Sequence, residues 1–441
     1  MTVTRRTFLK GIGTGAAAVS LAGLGGFRAF GQGNVTINLA GFSGDTNVVQ
    51  QLLSKFTKNI AGVKEVVWQP VTGDMRAFVL QGLSASTAPD IFYVDSFWTK
   101  DVVDTGKMQA LDDLISASSV LKKADLLTNL VETFTLNGKL YAISKDFNSL
   151  IWFQNIDQFN QAGVDLLTSD DDFNDVLTKL SAVAGKTGKP TVLNPDGARF
   201  LPLAFSAGMP LLTEDAKGKK APFGSTEAKL AAEFYTAPFT QQFQGRKFPK
   251  KFGMTSSDVQ TGWPGEAFYK EKASCVIEGG WLVPPIRDNN PTENFSSVFP
   301  PLASNTGQRG NFLFTVGYGM PSFGPNQALA FKVIEAITSP EAQAFILEAG
   351  LALPSRKALL NNPILSTPKD TFQRADKVDF LAAGLPGSVP FRFDPVGGGY
   401  LDTINAGLTK IFNGEANVSD AMDAAAAELD KKLVDLGLRK A

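Results

Sequence analysis

Histidine is absent from the 441-residue chain, and cysteine occurs only once, at Cys275. The lack of histidine excludes a Ser-His-Asp or Cys-His nucleophile and any histidine-ligated metal site. A single cysteine excludes an internal disulfide, a cysteine-rich zinc site and a thiolate-held iron–sulfur cluster. Catalysis by carboxylates alone, as in glycoside hydrolysis, is an enzymatic chemistry that these absences leave open.

The chain also lacks an excess of positive charge, because 42 basic residues are balanced by 43 acidic ones. The net charge of −1 therefore gives no indication of nucleic-acid binding. The length predicts two or three domain-sized units. A hydrophobic content of 44% is ample for their cores.

The N-terminal residues have the layout of a bacterial export signal. Arg5 and Arg6 precede Phe8-Leu9-Lys10, and a Gly/Ala-rich apolar stretch follows over residues 11–26. This pattern resembles a twin-arginine (Tat) signal peptide over residues 1–31, with cleavage near residues 29–33. A membrane anchor is the alternative, but spanning a bilayer takes roughly 20 apolar residues. We expect the Tat machinery to export the precursor, leaving a soluble protein in the periplasm or outside the cell.

The segment after this signal alternates between strand and helix patterns. Alternating apolar residues predict a first strand, helical spacing follows it, and the pattern then repeats. The predicted strands are 35–40, 63–69 and 90–94, and the predicted helices are 47–58 and 74–84. This succession indicates a parallel sheet with right-handed crossovers, whose ligands bind beyond the carboxyl ends of the strands. The loops 42–45 and 95–98 lie at such ends.

The rest of the chain has the same mixed character. Buried strands are predicted at residues 150–153 and 273–277, the latter followed by a Gly-Gly-Trp turn. Helices are predicted at 170–184, 327–337, 340–348 and 419–436. Three aspartates crowd the start of the first of these helices, where negative charge is favoured.

Several ordered segments resemble the sugar-type solute-binding proteins of ABC importers, the family that includes maltose-binding protein. They are APDIFYVD (88–95), GKLYAI (138–143) followed by DFN (146–148) and FQN (153–155), IEGGW (277–281), and TSPEAQ (338–343) followed by LPSR (353–356). The resemblance runs in order from about residue 35 to 436. The last of these segments is the most specific match.

The resemblance implies an α/β, two-lobed periplasmic binding protein fold of type II. Lobe 1 would hold residues 34–144 and 313–356, and lobe 2 would hold 148–310 and 359–441. Hinges would lie near 142–146, near 314–318 and just after residue 356. The protein would capture a mono- or oligosaccharide in the cleft, close by hinge bending and deliver it to a membrane permease. It would be a monomer that catalyses no reaction and needs no cofactor or metal.

Aromatic candidates for the cleft are those that can cover the apolar face of a sugar ring. Trp281 follows two glycines after a buried strand, and the resemblance implies a stacking aromatic there. The other candidates lie at predicted strand ends, in turns, at a hinge and in the C-terminal region. Core packing is the alternative role of each. They are Phe42, Trp98, Trp263, Tyr318 and Tyr400.

Polar candidates are those that can bind sugar hydroxyls, since hydrogen bonds to charged groups are stronger than neutral ones. Asp45 follows the first strand and has helix capping as its alternative role. Arg356 offers five donors in a rigid fork, with a salt bridge at the surface or between the lobes as its alternative. The remaining candidates are Ser43, Asp95, Asp146, Asn148, Glu278 and Gly280.

Two other functions stay open. The same fold can bind a non-sugar solute, and a polyamine would require several cleft carboxylates, although Arg356 argues against a cation. Iron is disfavoured because the six tyrosines are isolated in sequence. A carboxylate-pair glycosidase would need two acids at a fixed separation. Without histidine, a binding transition near pH 6–7 would require a shifted carboxylate, with Asp95 and Glu278 as the first candidates.

Overall fold

The computed structural model describes residues 35–385, 387–389, 392–393 and 395–441. The expected signal peptide (1–31) and its cleavage region lie outside the described residues. Within the described ranges, no helix is both long enough and apolar enough to cross a membrane.

The strands of the described residues are β1 Val35–Phe42, β2 Val63–Val71, β3 Ile91–Asp95, β4 Thr135–Leu136, β5 Lys139–Leu140, β6 Ala142–Ser144, β7 Asp146–Phe147, β8 Ile151–Asn155, β9 Thr191–Val192, β10 Thr213–Asp215, β11 Gly218–Lys220, β12 Gln242–Phe243, β13 Arg246–Lys247, β14 Gly253–Met254, β15 Cys275–Glu278, β16 Phe295–Val298, β17 Gly310–Phe312, β18 Val316–Gly319, β19 Leu353–Pro354 and β20 Gly387–Val389. The helices are α1 Thr46–Phe56, α2 Met75–Ala85, α3 Thr99–Val103, α4 Asp112–Ala117, α5 Thr128–Thr133, α6 Ile156–Ala162, α7 Phe173–Thr187, α8 Gly197–Ser206, α9 Thr226–Thr240, α10 Pro264–Tyr269, α11 Val283–Asn289, α12 Gln327–Ile337, α13 Pro340–Glu348, α14 Pro363–Ser366, α15 Thr371–Ala383, α16 Gly399–Phe412 and α17 Val418–Asp435.

The first lobe is built on a five-stranded sheet in the order β2-β1-β3-β18-β6. β1 pairs in parallel with β2 and β3, which confirms the predicted β-α-β-α-β unit, while β18 runs antiparallel to β3 and β6. Apolar side chains of β1, such as Ile37 and Leu39, are fully buried. Helices α1 and α2 cover this core through residues such as Leu52 and Val79.

The second lobe is built on a separate five-stranded sheet in the order β14-β9-β15-β8-β16. β15 runs antiparallel to β8 and parallel to β9. The predicted strands at 150–153 and 273–277 are confirmed as β8 and β15. Helix α7 begins later than predicted because Asp172 caps it, its carboxylate accepting hydrogen bonds from the backbone N–H groups of Asn174 and Asp175.

The C-terminal helices divide between the two cores. α12 and α13 have the predicted bounds and pack on the first lobe through Ile334 and Ile346. α16 and α17 pack on the second lobe through residues such as Leu408 and Leu429. The last helix therefore confirms the predicted amphipathic segment at 419–436.

Three chain segments run side by side between the sheets. β7 pairs antiparallel with β19, and Asn148 forms a bridge with Phe314 in which each backbone N–H donates to the other carbonyl at 2.8 Å. The Thr315 hydroxyl donates to the carbonyl oxygen of Asp146 at 2.6 Å. The strand ends of both sheets lie next to this waist, where the candidate site is found.

Candidate functional site

A buried ion cluster occupies the first-lobe side of the waist. The Lys145 ammonium contacts the carboxylate of the adjacent Asp146, and its Nζ lies 3.6 Å from Oδ2 of Asp45. It also sits 5.1 Å from the centre of the Tyr93 ring. Burial disfavours the charged ammonium, but the negative charges of Asp146 and Asp45 outweigh this effect and raise the pKa of Lys145. The lysine is therefore held as a cation between two carboxylates.

Two tyrosines pack beside this cluster. The rings of Tyr93 and Tyr318 are fully buried, with centroids 5.7 Å apart in an edge-to-face arrangement. Among the described residues, neither hydroxyl has a well-formed hydrogen bond, although Asp45 lies near the Tyr93 hydroxyl and the two hydroxyls lie near each other. Burial raises the pKa of both phenols, so both stay protonated. Phe42 packs edge-on against Tyr93 at 5.7 Å, and Ser43 is exposed in the adjoining turn.

Asp95 ends β3 and caps the short 3-10 turn Ser96–Trp98. Its carboxylate accepts hydrogen bonds from the Ser96 hydroxyl at 3.1 Å and the Phe97 N–H at 3.2 Å. Burial raises the pKa of Asp95 to about 7, although these two hydrogen bonds oppose the shift. The turn sends Trp98 into the core of the first lobe, where it is 7% exposed. Phe97 takes the outward position instead.

A second ion cluster lies at the end of β15 in the second lobe. Glu278 is fully buried, and its Oε2 accepts hydrogen bonds from Nη2 of Arg199 at 2.5 Å and Nε1 of Trp281 at 2.9 Å. Nη1 of Arg199 donates to Asp196, the N-cap of α8, at 2.7 Å. The guanidinium lies 5.8 Å from the Trp281 ring centre. Burial raises the pKa of Glu278, and the neighbouring Arg199 limits that rise.

Several polar atoms around the waist are buried without a hydrogen-bond partner among the described residues. They are Oδ1 of Asn148, Oε1 of Glu278 and Nε of Arg199. Asn148 and Gly280 meet here, because a Cβ on Gly280 would lie 3.0 Å from Oδ1 of Asn148. Buried polar groups are normally satisfied, so these unpaired atoms make this part of the waist the candidate site.

Aromatic rings connect the two lobes along the same boundary. Trp281 contacts Phe314 at 5.1 Å, and Phe314 contacts Phe97 at 5.1 Å. Phe97 also stacks on Phe393 of the second lobe at 5.6 Å. Phe97 and Phe314 were missed by sequence reasoning, although the loop 95–98 and the hinge 314–318 that hold them were both identified. Lys145 and Tyr93 were missed as well, because a residue between two short strands and a residue inside a buried strand give no separate signal.

Three predicted site residues have their contacts inside one lobe. Nε of Arg356 donates to the Thr338 carbonyl at 2.7 Å, and the residue is 4% exposed. The Tyr400 hydroxyl donates to the Leu211 carbonyl at 2.8 Å, with its ring stacked on Phe393. Trp263 precedes α10 and packs on a satellite core of the second lobe. For Trp263 and Tyr400 these placements favour the core packing that the sequence left open, whereas the contact of Arg356 with Thr338 matches neither a surface nor an interlobe salt bridge.

Helix α15 carries two buried aspartates, of which Asp379 accepts hydrogen bonds from Ser149 and Gly280. Asp376 and Asp379 are 5% and 1% exposed. Burial raises the pKa of Asp376 to about 8, with a further contribution from the charge of Asp379. Burial also raises the pKa of Asp379 to about 7, against the hydrogen bonds that it accepts. The ordinary value of both is 3.8.

These shifts predict that the folded protein is more stable in mild acid. Between about pH 4 and pH 8 the folded state binds more protons than the unfolded state, so the free energy of unfolding falls as the pH rises. At about 1.4 kcal/mol per pKa unit, the two aspartates together give an expected loss on the order of 6 kcal/mol between pH 5 and pH 8. Urea denaturation at both pH values measures it, and no histidine titrates in this range. Equal or greater stability at pH 8 would contradict the prediction.

Sequence comparison places the chain in a family. Residues 42–344 match the profile of the bacterial extracellular solute-binding proteins. The chain belongs to this family. No curated protein sequence gives a significant match.

Solved structures of solute-binding proteins are similar to this one over nearly their whole length. An ABC substrate-binding protein from Listeria monocytogenes, in complex with cycloalternan, superimposes with a TM-score of 0.78 at 18% identity, covering 92% of this chain and 100% of its own. The acarbose-binding GacH receptor of Streptomyces glaucescens gives 0.74 at 19% identity, covering 91% and 98%. UgpB from Mycobacterium tuberculosis, in complex with glycerophosphocholine, gives 0.74 at 17% identity, covering 92% and 100%. The two-lobed fold of this solute-binding protein is thus that of the maltose-binding-protein type.

Proposed function

We propose that this solute-binding protein captures a neutral carbohydrate between its lobes and delivers it to the permease of an ABC importer. The observation that carries the proposal is the set of unpaired polar atoms beside an aromatic wall. Oδ1 of Asn148 and Oε1 of Glu278 need donors, whereas Nε of Arg199 needs an acceptor. A hydroxyl group supplies both, and the rings of Trp281, Phe314 and Phe97 offer apolar faces for a sugar ring. Structural neighbours bound to cycloalternan and acarbose support the same ligand class.

The charged groups of the two ion clusters are already paired with one another. Lys145 pairs with Asp45 and Asp146, and Arg199 pairs with Asp196 and Glu278. A polyamine would have to compete with these internal cations for the four paired carboxylates. Lys145 and Arg199, rather than Arg356, are the cations that it would have to displace.

The same contacts argue against iron binding and hydrolysis. Tyr93 and Tyr318 are neighbours in space, but burial raises the pKa of both and disfavours the tyrosinate that would bind iron. Glu278 and Asp146 are held in ion pairs, which leaves neither free as an acid or base. We therefore propose that the protein catalyses no reaction. Prolonged incubation with oligosaccharides should yield no new reducing ends, and their appearance would contradict this.

Titration calorimetry with a panel of carbohydrates tests the proposed function. The panel is maltose, maltotriose, cyclic glucans and monosaccharides, with spermidine and glycerophosphocholine as non-sugar comparisons. We expect a dissociation constant on the order of 1 μM, or about −8 kcal/mol, for at least one carbohydrate. Heat from a non-sugar solute alone, or from no compound, would sink the carbohydrate assignment.

We propose that an ion-pair clasp helps to hold the lobes together around the ligand. Arg76 of α2 contacts Asp101 of α3 at 2.7 Å within the first lobe, and Asp402 of α16 in the second lobe at 2.9 Å. Because Asp402 is more than half exposed, the cross-lobe bond contributes only about 0.5–1 kcal/mol. Asp402→Asn should weaken carbohydrate binding about threefold, and the loss should vanish in high salt. Asp423→Asn, which breaks a pair with Lys229 inside the second lobe, should leave affinity unchanged.

We propose that the lobes comprise residues 34–144 with 313–356, and 148–310 with 359–441. The strands of the two five-stranded sheets support this division.

We also propose that the mature protein is a monomer and that residues 1–31 direct export of the precursor through the Tat machinery. Replacing Arg5 and Arg6 by lysine should trap the precursor in the cytoplasm. Normal appearance of the variant outside the cytoplasmic membrane would refute the assignment.

A further inference from the structure

We propose that Asp379 is a positioning residue, which sets the spacing between Asn148 and Trp281 and so the shape of the cleft. The inference rests on the proposed function, because it concerns two residues of the same site. Asp379 does not itself need to touch the carbohydrate. Its carboxylate connects α15 by hydrogen bonds to the segment that contains Asn148 and to the segment that contains Trp281.

The two oxygens of Asp379 serve two different segments. Oδ1 accepts hydrogen bonds from the backbone N–H of Ser149 at 2.6 Å and from its hydroxyl at 2.7 Å. Oδ2 accepts the backbone N–H of Gly280 at 3.0 Å. Ser149 lies in the waist before β8, and Gly280 lies in the turn after β15. The Asp379 side chain therefore connects two residues that are 131 positions apart in the sequence.

The local sequence suits this connection. A Cβ on residue 280 would lie 2.7 Å from Oδ2 of Asp379, so the close approach requires glycine. The Ser149 hydroxyl also contacts the backbone carbonyl of Asp379 at 2.9 Å, which holds the serine against α15. All the groups involved are buried, where an unpaired backbone N–H is costly. Both segments are therefore fixed as long as the carboxylate is present.

The residues next to these anchors are the proposed ligand contacts. Asn148 immediately precedes Ser149 and presents a buried, unpaired Oδ1. Trp281 immediately follows Gly280, and its indole N–H is held by Glu278. Fixing Ser149 and Gly280 on one carboxylate thus fixes an acceptor for a hydroxyl relative to an aromatic face for a ring.

Asp376 provides a matched control on the same helix. It is likewise buried and acidic and lies one turn before Asp379, but no hydrogen bond connects its side chain to the described residues of either segment. Asp376→Asn and Asp379→Asn make the same chemical change in the same core. Only Asp379→Asn places an NH₂ donor next to a backbone N–H, of Ser149 or of Gly280, that needs an acceptor.

Hydrogen–deuterium exchange of the ligand-free protein tests the positioning directly. In Asp379→Asn we expect at least tenfold faster exchange at the amides of Ser149 or Gly280, with the core of the second lobe still protected. In Asp376→Asn both amides should exchange as in the wild type. Unchanged exchange in Asp379→Asn, or equal acceleration in both variants, would overturn the proposal.

Calorimetry then connects position to binding. For the panel carbohydrate with the lowest wild-type dissociation constant, Asp379→Asn should raise that constant about tenfold and Asp376→Asn less than twofold, whatever their effects on melting temperature. Equal affinities of the two variants would overturn the link to the cleft. A wild-type protein that binds no panel carbohydrate would instead remove the proposed function, and the exchange rates would still decide whether Asp379 fixes the two segments.

Discussion

Replacing Glu278 by leucine is expected to lower the free energy of unfolding by about 3 kcal/mol, because it removes one partner of a buried ion pair. Glu278 is fully buried and accepts hydrogen bonds from Arg199 at 2.5 Å and from Trp281 at 2.9 Å. Without it, the Arg199 guanidinium keeps only Asp196 as a charged partner and remains largely buried. Urea denaturation of the variant measures the loss.

A double variant separates lost charge balance from lost packing. Arg199→Met together with Glu278→Leu removes both charges and replaces them with apolar groups, so we expect it to recover at least half of the lost stability. Asp423→Asn, which breaks the half-exposed pair with Lys229, should cost less than about 1 kcal/mol. If Glu278→Leu proved as mild as Asp423→Asn, the buried pair would not have the importance that its burial indicates.

Trp281→Ala is expected to weaken carbohydrate binding about 30-fold, or about 2 kcal/mol, because it removes the largest aromatic face of the proposed cleft. Trp281 is only partly buried and lies between Phe314 and the Arg199 guanidinium. Its loss should therefore affect stability less than affinity. Calorimetry with the panel carbohydrate that binds best gives the dissociation constant, and thermal denaturation gives the stability.

Trp263→Ala is the matched control for this prediction. Trp263 is the same residue type in the same lobe and is also partly buried, but it packs on the satellite core around α10. Its replacement should lower the melting temperature and leave the dissociation constant within twofold. An affinity that survives Trp281→Ala but is lost in Trp263→Ala would exchange the roles of the two tryptophans.

The first strands and helices of the first lobe were predictable because their sequence patterns are local. Period-two alternation predicted β1, and helical spacing at Val48, Leu52, Leu53 and Phe56 predicted α1. The rule that ligands bind at the carboxyl ends of strands then identified the loops after β1 and β3. These signals depend on neighbours a few positions apart, so they are present in the sequence whatever the tertiary structure does.

The direction of individual side chains was not predictable in the same way. In the turn after β3, Trp98 points into the first lobe and Phe97 faces the other lobe, because a 3-10 turn rotates each successive side chain by about 120°. Arg356 has the donors that suit sugar hydroxyls, but it bonds to the Thr338 carbonyl. The residue type shows which groups a side chain is able to bind. It does not show which of those groups lies within hydrogen-bonding distance in the folded protein.

Local patterns in the sequence identified the family, several strands and helices of both lobes and, through the absence of histidine, the exclusion of histidine chemistry. Which charged groups pair with one another depends on the folded chain. Lys145 meets Asp45, and Arg199 meets Glu278, across separations of 100 and 79 positions. Ion pairs and orphaned hydrogen-bonding groups depend on distances between segments that are remote in sequence. No local pattern contains those distances, whereas the folded waist brings the groups within a few ångströms.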